Sequence, residues 1–263
     1  MLNFGKAREW SYFDVEGLIY EGEVMAGTRI PYGRGMLVNK DFGIIYEGWF
    51  QRGVKHGYGR ELRVDAGGYI YEGDFGYNEF EGYGKALWEQ TGVRHEGTYS
   101  GNRRNGYGIF YMQGGNTYKG NFVNGFREGY GEQQFGPLVN YKGNFYQDQM
   151  HGYGLLSSHD LFYDGEFNMG KKHGFAKVWS VKSGNVFRGK FKEDQKHGFG
   201  LYKSDEDYYL VRNHQGKGIF KVFIKNYEVF MQKVVRLTVF NYRYYLRMMR
   251  YMATYSFKRR AIS

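Results

Sequence analysis

Residues 141–154 read Tyr-Lys-Gly-Asn-Phe-Tyr-Gln-Asp-Gln-Met-His-Gly-Tyr-Gly, and the parts of this stretch recur along the chain. A triplet of ring residue, charged residue and glycine begins every 22 to 26 residues, at Tyr20, Tyr46, Tyr71, His95, Tyr118, Tyr141, Tyr163 and Phe187. A second signal, Gly-aromatic-Gly or a close variant, starts 11 residues later in seven copies, at Gly57, Gly82, Gly106, Gly129, Gly152, Gly174 and Gly198. A period of this length with fixed internal spacing predicts a repeat array.

Each repeat has the pattern of a β-hairpin. The triplet continues as Tyr-x-Gly-x-Phe, which places both rings and the glycine on one face of a strand and the polar residues on the other. A short polar loop and the Gly-aromatic-Gly signal then lead into a second apolar segment, such as Gly108 to Tyr111. We therefore expect a mainly β fold, a single-sheet antiparallel β-hairpin solenoid of roughly 16 to 18 strands.

The glycine inside each triplet leaves space between two rings. Without a Cβ, it allows a ring of the adjacent hairpin to lie over the backbone. The rings predicted to form this aromatic ladder are Tyr46, Phe50, Tyr71, Phe75, Tyr118, Phe122, Tyr141, Phe145, Tyr163, Phe167, Phe187 and Phe191. We expect the rings of the second signal to join them, namely Tyr58, Tyr83, Tyr107, Tyr130, Tyr153, Phe175 and Phe199.

The two signals resemble those of the MORN repeat, whose units read Tyr-Glu-Gly-x-Phe, a polar loop and Gly-x-Gly. The resemblance covers about residues 20–202 in eight copies. The chain departs from the pattern at Ala176, which replaces a second-signal glycine, at His95, and in a widened first loop before Gly33. The resemblance implies a non-catalytic scaffold or interaction module, often of cilia, flagella and other cytoskeletal structures, and in some members a membrane-associated one.

Composition argues against several kinds of function. The 263 residues contain 41 glycines and no cysteine, so disulfides and thiolate metal sites are excluded. Histidines before the second signal, such as His56 and His151, recur with the repeat, roughly 10 Å apart, which is too far for shared metal ligands. No nucleophile elbow or phosphate loop occurs, and we predict neither an enzyme nor a cofactor.

The net charge of +10 lies almost entirely at the C-terminal end. Residues 1–218 carry 27 Lys and Arg against 26 Asp and Glu, while residues 219–263 carry ten against one, a difference of +1 against +9. The nearly neutral repeats therefore do not favour nucleic-acid binding. The charge of the second triplet position also changes along the chain, from Glu21, Glu47, Glu72 and Glu96 to Lys119, Lys142, Asp164 and Arg188.

Three segments follow from these patterns. Residues 1–19 are predicted to form a capping half-hairpin, residues 20–218 the eight repeats with a degenerate ninth, and residues 219–263 a basic strand and helix tail. A helix from Asn226 would be amphipathic, although the abundance of strand-forming residues competes with it. Its basic face would contain Lys233, Arg236, Arg243, Arg247, Arg250 and Lys258, which we predict to bind a partner.

Two functions remain open. In the first, the chain is a structural subunit of a large complex, in the cytoplasm and most often ciliary, axonemal or cytoskeletal, with the sheet as a rigid surface and the tail as a docking element. In the second, the basic tail binds an anionic membrane, at a membrane-associated or mitochondrial location. The tail has a third option, which is to pack back on its own sheet.

Overall fold

Strands follow one another with short connections throughout the computed structural model, which describes residues 8–65, 67–205, 207–224 and 228. The strands are β1 (Arg8–Val15), β2 (Leu18–Met25), β3 (Pro31–Asn39), β4 (Ile44–Gln51), β5 (Val54–Arg63), β6 (Tyr69–Gly76), β7 (Glu79–Trp88), β8 (Val93–Ser100), β9 (Arg103–Tyr111), β10 (Thr117–Val123), β11 (Phe126–Phe135), β12 (Val139–Tyr146), β13 (Gln149–Ser157), β14 (Leu161–Asn168), β15 (Lys171–Ser180), β16 (Val186–Lys192), β17 (Gln195–Ser204), β18 (Asp207–His214) and β19 (Lys217–Ile224). A 3₁₀ turn, Gln113–Gly115, connects β9 and β10. The described fold is therefore mainly β.

The 19 described strands belong to one antiparallel sheet, which is one strand more than the upper sequence estimate. The chain divides into two units, residues up to 140 with 145–148, and residues 141–144 with those from 149 onward. In the first unit each strand pairs with the next from β1 to β11. In the second unit the same holds from β13 to β19. β1 pairs with β2 before the first repeat and lies within residues 1–19, the segment predicted as a capping half-hairpin.

Tight turns close the hairpins and also form hydrogen bonds to the preceding repeat. In the turn between β4 and β5, both Arg52 (φ 49°) and Gly53 (φ 83°) are left-handed, as a type I′ turn requires. The N–H of Gly53 donates to the carbonyl of Pro31 in the preceding repeat, with a distance of 2.8 Å. Gly125 donates to Arg104 in the same way at 2.9 Å. These bonds fix one hairpin against the next.

The tyrosine that begins the triplet holds each hairpin together by what we name the tyrosine clamp. The ring of Tyr46 covers Gly48 and the glycine paired with it across the hairpin, Gly59, so that a Cβ on either would overlap the ring. The Tyr46 hydroxyl donates to the carbonyl of Trp49 at 2.8 Å, where a β-bulge shifts the register. The same hydroxyl-to-carbonyl bond, 2.6 to 3.0 Å long, recurs from Tyr20 to Glu23, Tyr71 to Asp74, Tyr118 to Asn121, Tyr141 to Asn144 and Tyr163 to Glu166.

The clamp corrects the prediction for the triplet glycine. We expected a ring of the adjacent hairpin to cover this glycine, but the hairpin's own tyrosine does so, because its side chain lies along the strand in the C-terminal direction, over the paired glycines. The adjacent hairpin contributes an edge-on contact instead, as between Tyr46 and Phe75, whose ring centroids are 4.9 Å apart. All twelve ladder rings are buried. We call their side of the sheet the ring face.

A row of cations, which the sequence analysis missed, lies over the ring face. Lys55 lies 5.1 Å from the ring of Tyr46, and Lys196 lies 4.5 Å from that of Phe187. Other members of the row are Arg104, Arg127 and Lys172. Lys55 is only 9% exposed and forms an ion pair with the buried carboxylate of Glu61. Each cation stands just after a hairpin turn, so its position in the repeat places it above the rings.

The hydroxyls of the clamps remain donors at ordinary pH. Burial raises the pKa of Tyr20 and of Tyr118 to about 12 and also raises that of Tyr71. The clamp of the fourth repeat contains His95 instead. Its Nδ1 lies 2.8 Å from the Tyr99 hydroxyl, while its Nε2 is buried with no hydrogen-bond partner. Burial, with the charge of Arg104 as a smaller cause, lowers the pKa of His95 to about 4.

The ninth hairpin consists of β18 and β19, which pair up to Ile224. The second strand of this hairpin thus continues past residue 218, where the sequence analysis ended the repeats. The helix expected from Asn226 lies outside the described residues.

Replacing Gly143 by valine should destabilise the protein. A Cβ on Gly143 would lie 2.6 Å from the Cα of Gly154 and overlap the Tyr141 hydroxyl, so we expect an overpacking loss of about 1–3 kcal/mol in the free energy of unfolding, measured with urea. Gly218→Val is the matched control, because a Cβ there meets nothing within 4 Å. Equal losses in both variants would contradict the clamp.

Acid should destabilise the fourth repeat through His95. Its pKa is about 4 in the folded chain and about 6.5 when unfolded, so only the unfolded state takes up the proton between these values. The stabilisation that neutral His95 provides is fully present above about pH 6.5. The free energy of unfolding should fall by about 3 kcal/mol as the pH drops to 4. In His95→Phe this part of the pH dependence should vanish. In the exposed-site control His159→Gln it should remain, and an unchanged slope in His95→Phe would refute the assignment.

Candidate functional site

The face of the sheet opposite the ring face carries exposed aromatic rings. We expected the rings of the second signal to join the ladder, but that prediction is wrong for those that are exposed. In Gly57-Tyr58-Gly59 the last glycine faces the rings, and strand alternation therefore directs Tyr58 to the other side. The exposed fractions are 55% for Tyr58, 50% for Tyr83, 60% for Tyr107 and 57% for Tyr130. We name these four the tyrosine row and their side of the sheet the polar face.

Charged residues alternate in sign beside the tyrosine row. Cross-strand pairing sets Glu47 opposite Arg60, Arg60 opposite Glu72, Glu72 opposite Lys85, and Lys85 opposite Glu96. The Lys85 ammonium lies 3.0 Å from the Glu96 carboxylate. Opposite charges in directly paired positions favour this register. We name these five residues the charged row.

Hydrogen bonds tether two rings of the tyrosine row to the charged row. The hydroxyl of Tyr58 donates to Glu72, and that of Tyr83 donates to Glu96 at 2.7 Å. The bond from Tyr83, followed by that from Lys85, lowers the pKa of Glu96, which keeps this carboxylate ionised. The rings of Tyr58 and Tyr83 are thus half exposed and fixed in direction. A surface of this kind can bind a partner with little loss of side-chain entropy.

A groove on the polar face of the first unit has a volume of about 660 Å³. Its floor is backbone, because Gly35, Gly48 and Gly59 face the rings on the other side of the sheet. The residues lining it with side chains are Trp10, Glu21, Arg34, Met36, Glu47, Trp49, Tyr58, Arg60 and Glu72. We name it the Trp10–Trp49 groove.

This groove was not predicted, although the sequence contains a signal for it. Trp49 occupies the position after the triplet glycine where other repeats carry Asp74, Thr98 or Asn121. A tryptophan at a polar position that faces solvent is a departure from the repeat that packing does not require. Trp49 is 38% exposed, and Trp10 on β1 is 68% exposed.

The other predicted site residues fall into two groups. The ladder rings are buried, so they form the core of the sheet and are closed to a partner. The six basic tail residues, Lys233, Arg236, Arg243, Arg247, Arg250 and Lys258, lie outside the described residues.

Over the described part of the chain, no three His, Cys, Asp or Glu side chains come together as metal ligands would. Nor does any helix within it have the length and apolarity needed to cross a membrane.

Comparison with protein families gives a match to the MORN repeat over seven segments, residues 46–66, 71–90, 95–117, 118–137, 141–160, 163–182 and 187–206. Comparison with curated proteins gives no significant match. The copy that begins at Tyr20 lies outside the matched segments, although it has the same clamp bond, from the Tyr20 hydroxyl to the Glu23 carbonyl at 2.6 Å. Since the matched segments cover more than half of the 263 residues, the chain belongs to the MORN repeat family.

Proposed function

We propose that this MORN-repeat chain is a non-catalytic scaffold that binds other proteins through its polar face. The tyrosine row carries the proposal, because four half-exposed rings stand at equivalent positions of successive hairpins. Monomeric proteins seldom expose a long apolar patch without a binding role. Tyrosine, tryptophan and arginine also dominate the binding energy of protein interfaces.

The construction of the row suits a partner that lies across several hairpins. Equivalent positions are two strands apart, so successive rings stand roughly 10 Å from each other. Because Tyr58 and Tyr83 are tethered by their hydroxyls, they offer apolar ring surface in a fixed direction. The charges beside them can set the register of the partner through complementary groups.

We further propose that the basic tail docks the protein into a larger assembly. Residues 219–263 carry nine of the ten net positive charges, so an acidic protein surface would complement them. The assembly we propose first is a ciliary, axonemal or cytoskeletal complex in the cytoplasm. The alternative is tethering to an anionic membrane, for which a basic amphipathic helix is suited.

Substitution of the tyrosine row tests the interface. We expect the triple variant Tyr83→Ser, Tyr107→Ser and Tyr130→Ser to fold, with an unchanged β-sheet circular dichroism spectrum. The amount of partner protein that it recovers from the native source should be at least tenfold lower. The matched control replaces three exposed rings outside the row, Phe42, Tyr77 and Phe126, by serine. Equal recovery with both triple variants would refute the proposed interface. Axonemal proteins among the partners would support the proposed assembly, whereas respiratory-chain proteins would overturn it.

Charge reversal in the tail separates its two candidate targets. We expect the full-length variant Arg243→Glu, Arg247→Glu and Arg250→Glu to keep its melting temperature and to fail to join its native complex. Flotation with vesicles of phosphatidylserine and phosphatidylcholine identifies lipid as the target if only the unmodified chain floats. A lower melting temperature with intact complex formation would instead show that the tail packs on its own sheet, which would contradict docking.

A further inference from the structure

The Trp10–Trp49 groove carries two carboxylates, Glu21 and Glu47, that form neither a hydrogen bond nor an ion pair within 4 Å in the described part of the chain. Cross-strand pairing places Glu21 and Glu47 on either side of Met36, in three adjacent strands. Neighbouring strands are about 4.8 Å apart, so the two glutamates stand roughly 10 Å from each other across the thioether. Glu72 and Glu96 differ from them, because a tyrosine hydroxyl donates to each.

Other charges face the same groove, and they leave it anionic at one end. Arg34 lies over the Trp49 ring at 5.2 Å, and Arg60 stands in register between Glu47 and Glu72. Three carboxylates against two guanidinium groups give a net charge of −1. Arg60 is three strands from Glu21, and the Arg34 guanidinium lies over Trp49, so the negative charge is at the Glu21 end of the groove.

The walls of the groove suit a long cationic side chain. The stems of Lys and Arg pack on apolar surface while the charged ends seek acceptors. Here Met36 is 39% exposed between the carboxylates, with Trp10 nearby on β1. The stacking of Arg34 on Trp49 shows within the chain that an indole of this groove accepts a guanidinium group.

The backbone floor of the groove suits an extended occupant. Gly35 pairs with Gly48, and Gly48 pairs with Gly59, and all three positions face the rings, so strand alternation leaves only backbone along this line of the groove. The side chains of the groove stand on either side of the line. An extended segment fits between them with less bulk than a helix.

We propose that the Trp10–Trp49 groove binds an extended segment of a partner protein that bears arginine or lysine. One cationic side chain of the segment lies over Met36 and forms ion pairs with Glu21 and Glu47. The inference rests on the proposed function, since the groove belongs to the same polar face, and it specifies the chemistry of the partner. An anionic ligand such as a phosphate is disfavoured by the same two carboxylates.

Fluorescence anisotropy with the full-length chain tests the groove. The probe is a fluorescein-labelled peptide of alternating serine and arginine, nine residues long, and the control peptide has glutamate in place of arginine. We expect the arginine peptide to bind and the glutamate peptide not to bind. The +10 charge of the chain would repel the arginine peptide in general, so its binding reports a local anionic site.

Matched substitutions locate the binding. We expect the double variant Glu21→Gln with Glu47→Gln to bind the arginine peptide about 3- to 10-fold more weakly, which is the effect of losing two exposed ion pairs. The control Glu16→Gln with Glu89→Gln changes net charge equally at exposed sites outside the groove and should leave binding unchanged. Trp10→Ala should weaken binding without changing the circular dichroism spectrum.

Three results would overturn the inference: no binding of the arginine peptide, equal weakening by both glutamine pairs, or unchanged binding in Glu21→Gln with Glu47→Gln. The tyrosine-row variants distinguish failure of the inference about the groove from failure of the proposed function. If substitution of the tyrosine row abolishes recovery of the native partner while the groove fails with the peptide, only the inference about the groove is wrong. If substitution of the tyrosine row does not change recovery of the native partner while the groove binds the arginine peptide, the proposed interface is wrong and the inference about the groove stands.

Discussion

The structure depends on one interaction, the ring of a tyrosine lying over two glycines that face each other across a hairpin. In the second repeat this is Tyr46 over Gly48 and Gly59, with the hydroxyl bonded to the Trp49 carbonyl. The ring excludes water from a sheet that has a single layer, and the hydroxyl satisfies a carbonyl that the β-bulge removes from the ladder. Each clamp also touches a ring of the next hairpin, so the interaction within one repeat becomes contact between repeats.

This constraint explains why the two faces differ. The ring face is filled by its own tyrosines and phenylalanines and lies beneath the row of cations that includes Lys55, so few of its groups remain for a partner. Strand alternation then directs the other ring of the Gly-aromatic-Gly signal to the polar face, where Tyr83 is half exposed. The glycine that accepts the clamp faces the rings, so only its backbone lies on the polar face, between the rows of side chains that we propose for binding.

Much of this fold is predictable from the sequence, because spacing alone identifies the hairpins, the repeat and the family. The side of Tyr58 was predicted wrongly even though the alternation around Gly59 determines it, since an aromatic residue in a repeat suggests core. Only the structure shows which ring covers the triplet glycine, because the spacing allows both Tyr46 and a ring of the adjacent hairpin. The Trp10–Trp49 groove arises from pairing between repeats, which the pattern of one repeat does not contain. The cations over the rings belong to single repeats, as Lys55 over Tyr46 does, but a charged residue beside a turn suggests solvent and not the core.

The most direct measurement compares two tyrosines of one repeat by urea unfolding. Tyr71 is a clamp whose hydroxyl donates to the Asp74 carbonyl at 3.0 Å in the core, whereas the hydroxyl of Tyr83 bonds to Glu96 on the exposed face. Removal of a buried donor leaves a carbonyl unsatisfied, so Tyr71→Phe should lose about 1–2 kcal/mol in the free energy of unfolding. Tyr83→Phe should lose less than about 0.5 kcal/mol. Equal losses, or a larger loss for Tyr83→Phe, would contradict the clamp as the basis of the structure.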